Sequence, residues 1–267
     1  MLHSKLSKAV FIGHLLLFLI LPFTSFQHPK DISVLAEDTN CIAPATAVQQ
    51  VQLNKNAVKF VHSYLNKNNE DLVKIKERSV SPFRTIDGVL RKYGLPTQLK
   101  YLAVIESELK SSAVSRVGAA GTWQLMPTTA RLLGLKVTKG YDERRLLGKS
   151  TKAAALYLRD LYGEFGDWLL VMAAYNCGPG PVYSAIRKSG SRNFWRLQYH
   201  LPAESRDHVK KFIATHYYFE GNGSITTLTK AECVQYNTAV MLLATKQVKL
   251  PLPSVDNQAR QNIAFGN

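Results

Sequence analysis

Gly94-Leu-Pro-Thr-Gln-Leu-Lys-Tyr-Leu-Ala-Val-Ile-Glu-Ser-Glu-Leu109 is the stretch whose reading decides the fold. Pro96 suits the first turn of a helix, where its missing N–H costs nothing. From there Leu99, Leu102, Ala103 and Leu109 recur at helical spacing and make one apolar stripe. Glu106 falls in the middle of that stripe. Glu108 points to the opposite side and reads as a solvated surface charge. A carboxyl group set where the pattern asks for an apolar side chain is raised in pKa by partial burial. Such a rise would be what leaves a carboxyl protonated near neutral pH, as a general acid needs. The same placement suits a structural carboxylate that pairs with an Arg or caps a neighbouring helix. On this stretch alone both readings stand.

The chain has 267 residues, 46% of them apolar and 20% charged, enough for one main globular domain with extensions. Its formal net charge is +15, with Lys and Arg spread over many segments rather than gathered in a basic tail. A positive surface suits a polyanion: nucleic acid, an anionic membrane or an acidic wall polymer. The three cysteines, Cys41, Cys177 and Cys233, form no CxxC pair. The histidines include no HExxH spacing, and His208 and His216 are two helical turns apart. Neither a metal site nor a cofactor is expected.

Upstream of the deciding stretch, residues 1–26 read as an export signal or N-terminal anchor. Lys5 and Lys8 precede an apolar run from Val10 to Leu21, and small residues Thr24 and Ser25 follow. The run is short for a spanning helix. Export places the rest of the chain outside the cytoplasm, excludes nucleic acid as partner and leaves membrane association open. Residues 27–53 read as a linker. Helices are expected from Asn54 to a break at Asn66-Lys-Asn-Asn69, over 72–78, and over 79–93 with Gly94 as the cap.

Downstream comes Ser111-Ser-Ala-Val-Ser-Arg-Val-Gly-Ala-Ala-Gly-Thr-Trp-Gln-Leu-Met-Pro127, rich in small residues and without a period. Gly118 and Gly121 allow tight turns and close approach of backbone to a ligand. Trp123 offers either a flat face or a core side chain, and Ser115 and Gln124 offer hydrogen bonds. Further helices are expected over 127–134, 151–165, 168–175, 182–189, 202–219 and 232–245. The helix over 168–175 is almost wholly apolar and reads as central. It stops at Ala173-Ala-Tyr-Asn-Cys-Gly-Pro-Gly180, where a Schellman-type cap on Gly178 would also present Tyr175 and Asn176 to a cleft. Residues 251–267 look loose. The fold class is all-α.

Three motifs, Leu102-Ala-Val-Ile-Glu-Ser107, Ala113 to Pro127 and Ala173 to Gly180, occur in the order and at the spacing of the soluble lytic transglycosylase family, which the chain therefore resembles. Asp142-Glu-Arg-Arg145 and Asp167-Trp-Leu169 are intermediate landmarks. The resemblance implies a lysozyme-like helical domain, of the kind shared with goose-type lysozyme, over residues 54–220, followed by an extension over 221–267. It implies a cleft for peptidoglycan glycan strands and no cofactor, in a periplasmic or membrane-associated enzyme. It implies Glu106 as the single catalytic acid, which protonates the oxygen between N-acetylmuramic acid and N-acetylglucosamine. Glu106 then takes the proton of the muramoyl C6 hydroxyl as a 1,6-anhydro ring closes. Ser115, Gln124 and Asn176 become cleft hydrogen-bonding groups, and Met126 lines the floor beside the acid. Tyr175 contacts Glu106 or the substrate acetamido group, and Glu204 matches an acidic position of a later motif. The chain departs from the family at Thr122, at Cys177 and at His208, which replaces an aromatic residue. A disulfide from Cys177 would pin the Tyr175 loop. No wall-binding repeat follows the catalytic part, so wall targeting would rest on the cleft and the positive charge.

Overall fold

The computed structural model describes residues 50–248. The expected signal, most of the linker and the loose C-terminal stretch lie outside them. Helix α1 spans Lys55–Arg78, and Asn54 caps it by accepting the N–H of Asn56. The break expected at Asn66–Asn69 does not occur: α1 runs unbroken for 24 residues. Its buried positions, Ala57, Val61, Leu72 and Ile75, stay on one face across the polar run, whose side chains face outward or lie half-buried. Tertiary burial of that stripe outweighs the weak local propensity of Asn.

Helix α2 (Val80–Lys92) buries Ile86 and Leu90. Gly94 follows with φ 67°, as the cap reading requires. Pro96 precedes a 3-10 turn over Thr97–Leu99, which leads into α3 (Lys100–Ser107). This helix is shorter than its apolar pattern predicts. It ends in two consecutive non-glycine residues at positive φ, Glu108 (54°) and Leu109 (66°), and Leu109 is buried beyond the helix rather than within it.

The glycine-rich segment leads to α4 (Pro127–Leu132), with Pro127 at the first position. Helix α5 (Leu147–Phe165) starts four residues before the expected Thr151 and ends at Gly166. Helix α6 (Trp168–Cys177) is the centre of the domain. Every residue from Trp168 to Ala174 is buried, and α6 packs on α5, α7 (Pro179–Ser189) and α9 (Ala203–Glu220). The stop at Gly178 is as expected but its geometry is not a Schellman cap. Gly178 has φ 79° and ψ 165°, a region that only glycine occupies freely. A short helix α8 (Phe194–Leu197) and a 3-10 turn (Gln198–His200) intervene before α9; four to seven residues are too few to carry a readable period.

Helix α10 (Lys230–Val248) docks back on the start of α6 and of α1. Lys230 N–H donates to Asp167 Oδ2 at 2.7 Å, and Asn54 Nδ2 donates to Glu232. An isolated bridge between Val51 and Gly223 closes the same corner. Among the described residues all regular elements are helical, and no helix is long and apolar enough to cross a membrane.

Candidate active site

Glu106 sits in the last turn of α3, facing α9. Its side chain is 15% exposed, and its Oε1 lies 2.9 Å from Nε2 of His208, whose own side chain is 9% exposed. The abrupt end of the helix puts the acid at a rim rather than in mid-helix. Glu108 N–H bonds back to Val104 O, and Leu109 N–H to Ala103 O. Left-handed backbone at a non-glycine residue costs roughly 1–2 kcal/mol and persists only where its surroundings over-determine it. Ser107 supplies one restraint, its Oγ donating to Thr122 O at 2.8 Å. Glu108 supplies another: it is not a free surface charge but pairs with Arg78 and Lys110, whose positive charges hold its carboxyl below the usual range despite partial burial.

The glycine-rich segment lies against that end of α3. Trp123 is fully buried and donates its indole N–H to Thr151 Oγ1 at 2.9 Å, so it is a core side chain and not an open platform. Gly121, at φ 80°, packs so closely on α5's approach that a Cβ would meet Arg144 O at 1.9 Å. Arg144 is buried. Its Nη1 donates to the carbonyls of Gly118 (2.7 Å) and Leu125 (2.9 Å), and its other nitrogens fork onto both oxygens of Asp142. The guanidinium holds the Asp142 carboxyl below the usual range. Asp142 and Arg144 thus clamp the segment that carries Ser115, Gln124 and Met126.

Each of those residues has a defined role in the loop. Ser115 Oγ accepts the N–H of Ala119 at 2.9 Å. Gln124 sits at φ 45° and donates its amide nitrogen to Gly121 O and Ala113 O, bonds that do not use its side-chain carbonyl. Met126 is exposed where α4 begins.

From the other side come the residues at the end of α6. Tyr175 donates its hydroxyl to Trp123 O at 2.8 Å rather than to Glu106. Its pKa is pushed well above the ordinary value, mainly by burial, with the neighbouring Glu106 carboxyl and Tyr157 phenol adding to the rise. Asn176 Oδ1 accepts from Ser205 Oγ at 2.7 Å, which ties α6 to α9 three residues before His208. Cys177 is a free thiol bonded to Ala173 O, raised by burial, whereas Cys233 is disulfide-bonded; no disulfide pins the Tyr175 loop. Glu204 is exposed in the first turn of α9.

The structure therefore gathers Glu106, the Ser115–Met126 loop and the Tyr175–Asn176 turn around the end of α3. Sequence reasoning noted His208 only as a departure, and Arg144 only as a landmark. A cavity of about 410 Å³ opens elsewhere, before the start of α3, lined by Val51, Leu95, Gln98 and Tyr236 among others. Among the described residues no cluster of His, Cys, Asp and Glu could hold a metal ion.

Residues 86–198 match the transglycosylase SLT domain. The segment holds Glu106 and the five other candidate residues, while His208 lies beyond its end. The chain is 42% identical over 134 residues to the membrane-bound lytic murein transglycosylase D of Escherichia coli, covering 48% of this chain and 29% of that one. It is 42% identical over 84 residues to the peptidoglycan transglycosylase gp16 of Escherichia phage T7, covering 31% of this chain and 6% of that one. The chain thus spans less than a third of the length of these relatives. The solved 70 kDa soluble lytic transglycosylase of Escherichia coli aligns with TM-score 0.46 and 26% identity over 53% of this chain and 25% of its own.

Proposed function

We propose that the chain is an exported lytic transglycosylase that cleaves the β-1,4 bond between N-acetylmuramic acid and N-acetylglucosamine in peptidoglycan, with Glu106 as acid and then base. The observation that carries the reading is the carboxyl of Glu106, largely withdrawn from water at the end of α3 and flanked by the two motif segments. The proton passes from Glu106 to the glycosidic oxygen as the bond from that oxygen to muramoyl C1 breaks. The substrate's acetamido oxygen stabilises the cation left at C1. The C6 hydroxyl then attacks C1 and returns its proton to Glu106, so the 1,6-anhydro product forms without water and the enzyme ends as it began.

A glycosidase of the common kind uses two carboxylates. The partners of Glu106 support the single-acid reading: it bonds to a histidine, and Glu108 is held away by Arg78 and Lys110. Ser115, Gln124, Met126, Tyr175 and Asn176 are the groups proposed to hold the glycan. The net charge of +15 suits an anionic wall polymer in the periplasm, with or without membrane attachment.

Digestion of purified sacculi, read by mass spectrometry, tests this. Anhydro-muramoyl ends are the expected product, and reducing ends would make the protein a hydrolytic muramidase instead. Glu106→Gln must abolish release while binding to sacculi persists. Undiminished digestion by that variant sinks the assignment.

A further inference from the structure

His208 makes a contact to which the proposed bond-breaking steps assign no role. Its Nε2 is 2.9 Å from Glu106 Oε1, and its Nδ1 is buried with no hydrogen-bond partner. The ring therefore has one satisfied nitrogen and one that is not. A proton on Nδ1, in the other neutral tautomer or in the cation, would leave a buried N–H donor without an acceptor. A bare ring nitrogen there is the less costly choice, since unpaired buried donors are rarer than under-used acceptors. The proton then belongs on Nε2, pointing at Glu106.

We infer that His208 is a positioning residue for Glu106: its Nε2–H fixes Oε1 as an acceptor, so that the transferable proton rides on Oε2 and faces the cleft. The inference rests on the reading of Glu106 as the acid. It follows from the geometry because a hydrogen on Oε1 would confront the one on Nε2. The same face of α9 carries Ser205, one helical turn earlier, which binds Asn176. One helix face thus orients both the acid and the turn at the end of α6. A carboxyl free to rotate would spend part of its time with the proton turned away, which lowers turnover without weakening glycan binding.

The test uses the whole protein. The ¹⁵N shifts of the His208 ring should report a protonated Nε2 and a bare Nδ1. His208→Phe keeps the ring volume and removes the donor; kcat on soluble glycan should fall about 10- to 100-fold with KM unchanged. His208→Gln, whose amide nitrogen reaches the Nε2 position, should recover most of that loss. A protonated Nδ1, a wild-type kcat in His208→Phe, or equal losses in both variants with a lowered Tm would each overturn the inference. Glu106→Gln assayed alongside separates the two levels. Full activity in that variant refutes the acid itself, whereas its inactivity with an unaffected His208→Phe refutes only the role of His208.

Discussion

Gly121 and Arg144 touch backbone to backbone: a methyl group on the glycine would stand 1.9 Å from the arginine's carbonyl oxygen. The contact joins the loop that carries Ser115 and Gln124 to the short turn before α5. Arg144 then reaches back with its guanidinium to two carbonyls of the same loop, so the segment is held from both directions. The loop's shape depends on this clamp as much as on its own internal hydrogen bonds.

Gly121→Ala must therefore move backbone, not a flexible side-chain tip, and must also hold φ near 80°. The expected cost is on the order of 3 kcal/mol or more. Urea unfolding should show a lower midpoint with an unchanged slope. Activity should fall further than the lost stability explains, because the loop carrying Gln124 shifts. An unchanged midpoint would mean that the loop slides freely past Arg144.

Much of this was legible in the residues. Helices α2, α6 and α9 each lie within a few residues of the expected span; α2 shows an apolar period, whereas α6 shows a nearly unbroken apolar run. Glu106 stood out because it interrupts an apolar stripe. The long α1 was misread because Asn propensity is local while the burial of Leu72 and Ile75 is tertiary. Trp123 could not be assigned to cleft or core, since its partner Thr151 lies 28 positions away. For the same reason Arg144 and His208 carried no sign of their roles: a long-range hydrogen bond leaves no period in the chain.

Asp167 links stability to pH in an unusual direction. It caps α6 by accepting the N–H groups of Leu169 and Leu170, and it accepts Lys230 N–H at the start of α10. Burial pushes its pKa from 3.8 up to about 6, against the pull of those donors and with the charge of Glu232 adding to the rise. Between these two values the folded state holds more protons than the unfolded one, so this residue makes stability fall as pH rises, by roughly 3 kcal/mol in all. His216 works the other way over an overlapping window. Burial drops its pKa from 6.5 to about 4, so the unfolded state takes up the extra proton and stability rises with pH. The wild-type curve should be comparatively flat from pH 4 to 6.5. Asp167→Asn should be less stable throughout, having lost a carboxylate acceptor, and should show the rising His216 limb without that offset. Parallel curves for wild type and variant would refute the titration of Asp167 in that window.

Asn176 and Ser205 form the joint between the central helix and α9. The hydroxyl donates to the amide oxygen at 2.7 Å, with Ser205 itself buried. Removing either partner leaves a polar atom without its bond, at about 1–3 kcal/mol; removing both costs less than the sum. Asn176→Ala, Ser205→Ala and the double variant should give a coupling energy of about 0.5–1.5 kcal/mol by denaturation. The functional side of the cycle is more discriminating. If the bond serves only to join the helices, glycan binding tracks stability in all three variants. If Asn176 also meets the glycan, Asn176→Ala weakens binding to sacculi beyond Ser205→Ala at equal stability. Asn176 is only half-buried at the end of α6, which favours the second outcome. Equal affinities for the two single variants would remove Asn176 from the list of substrate contacts and leave it as a brace.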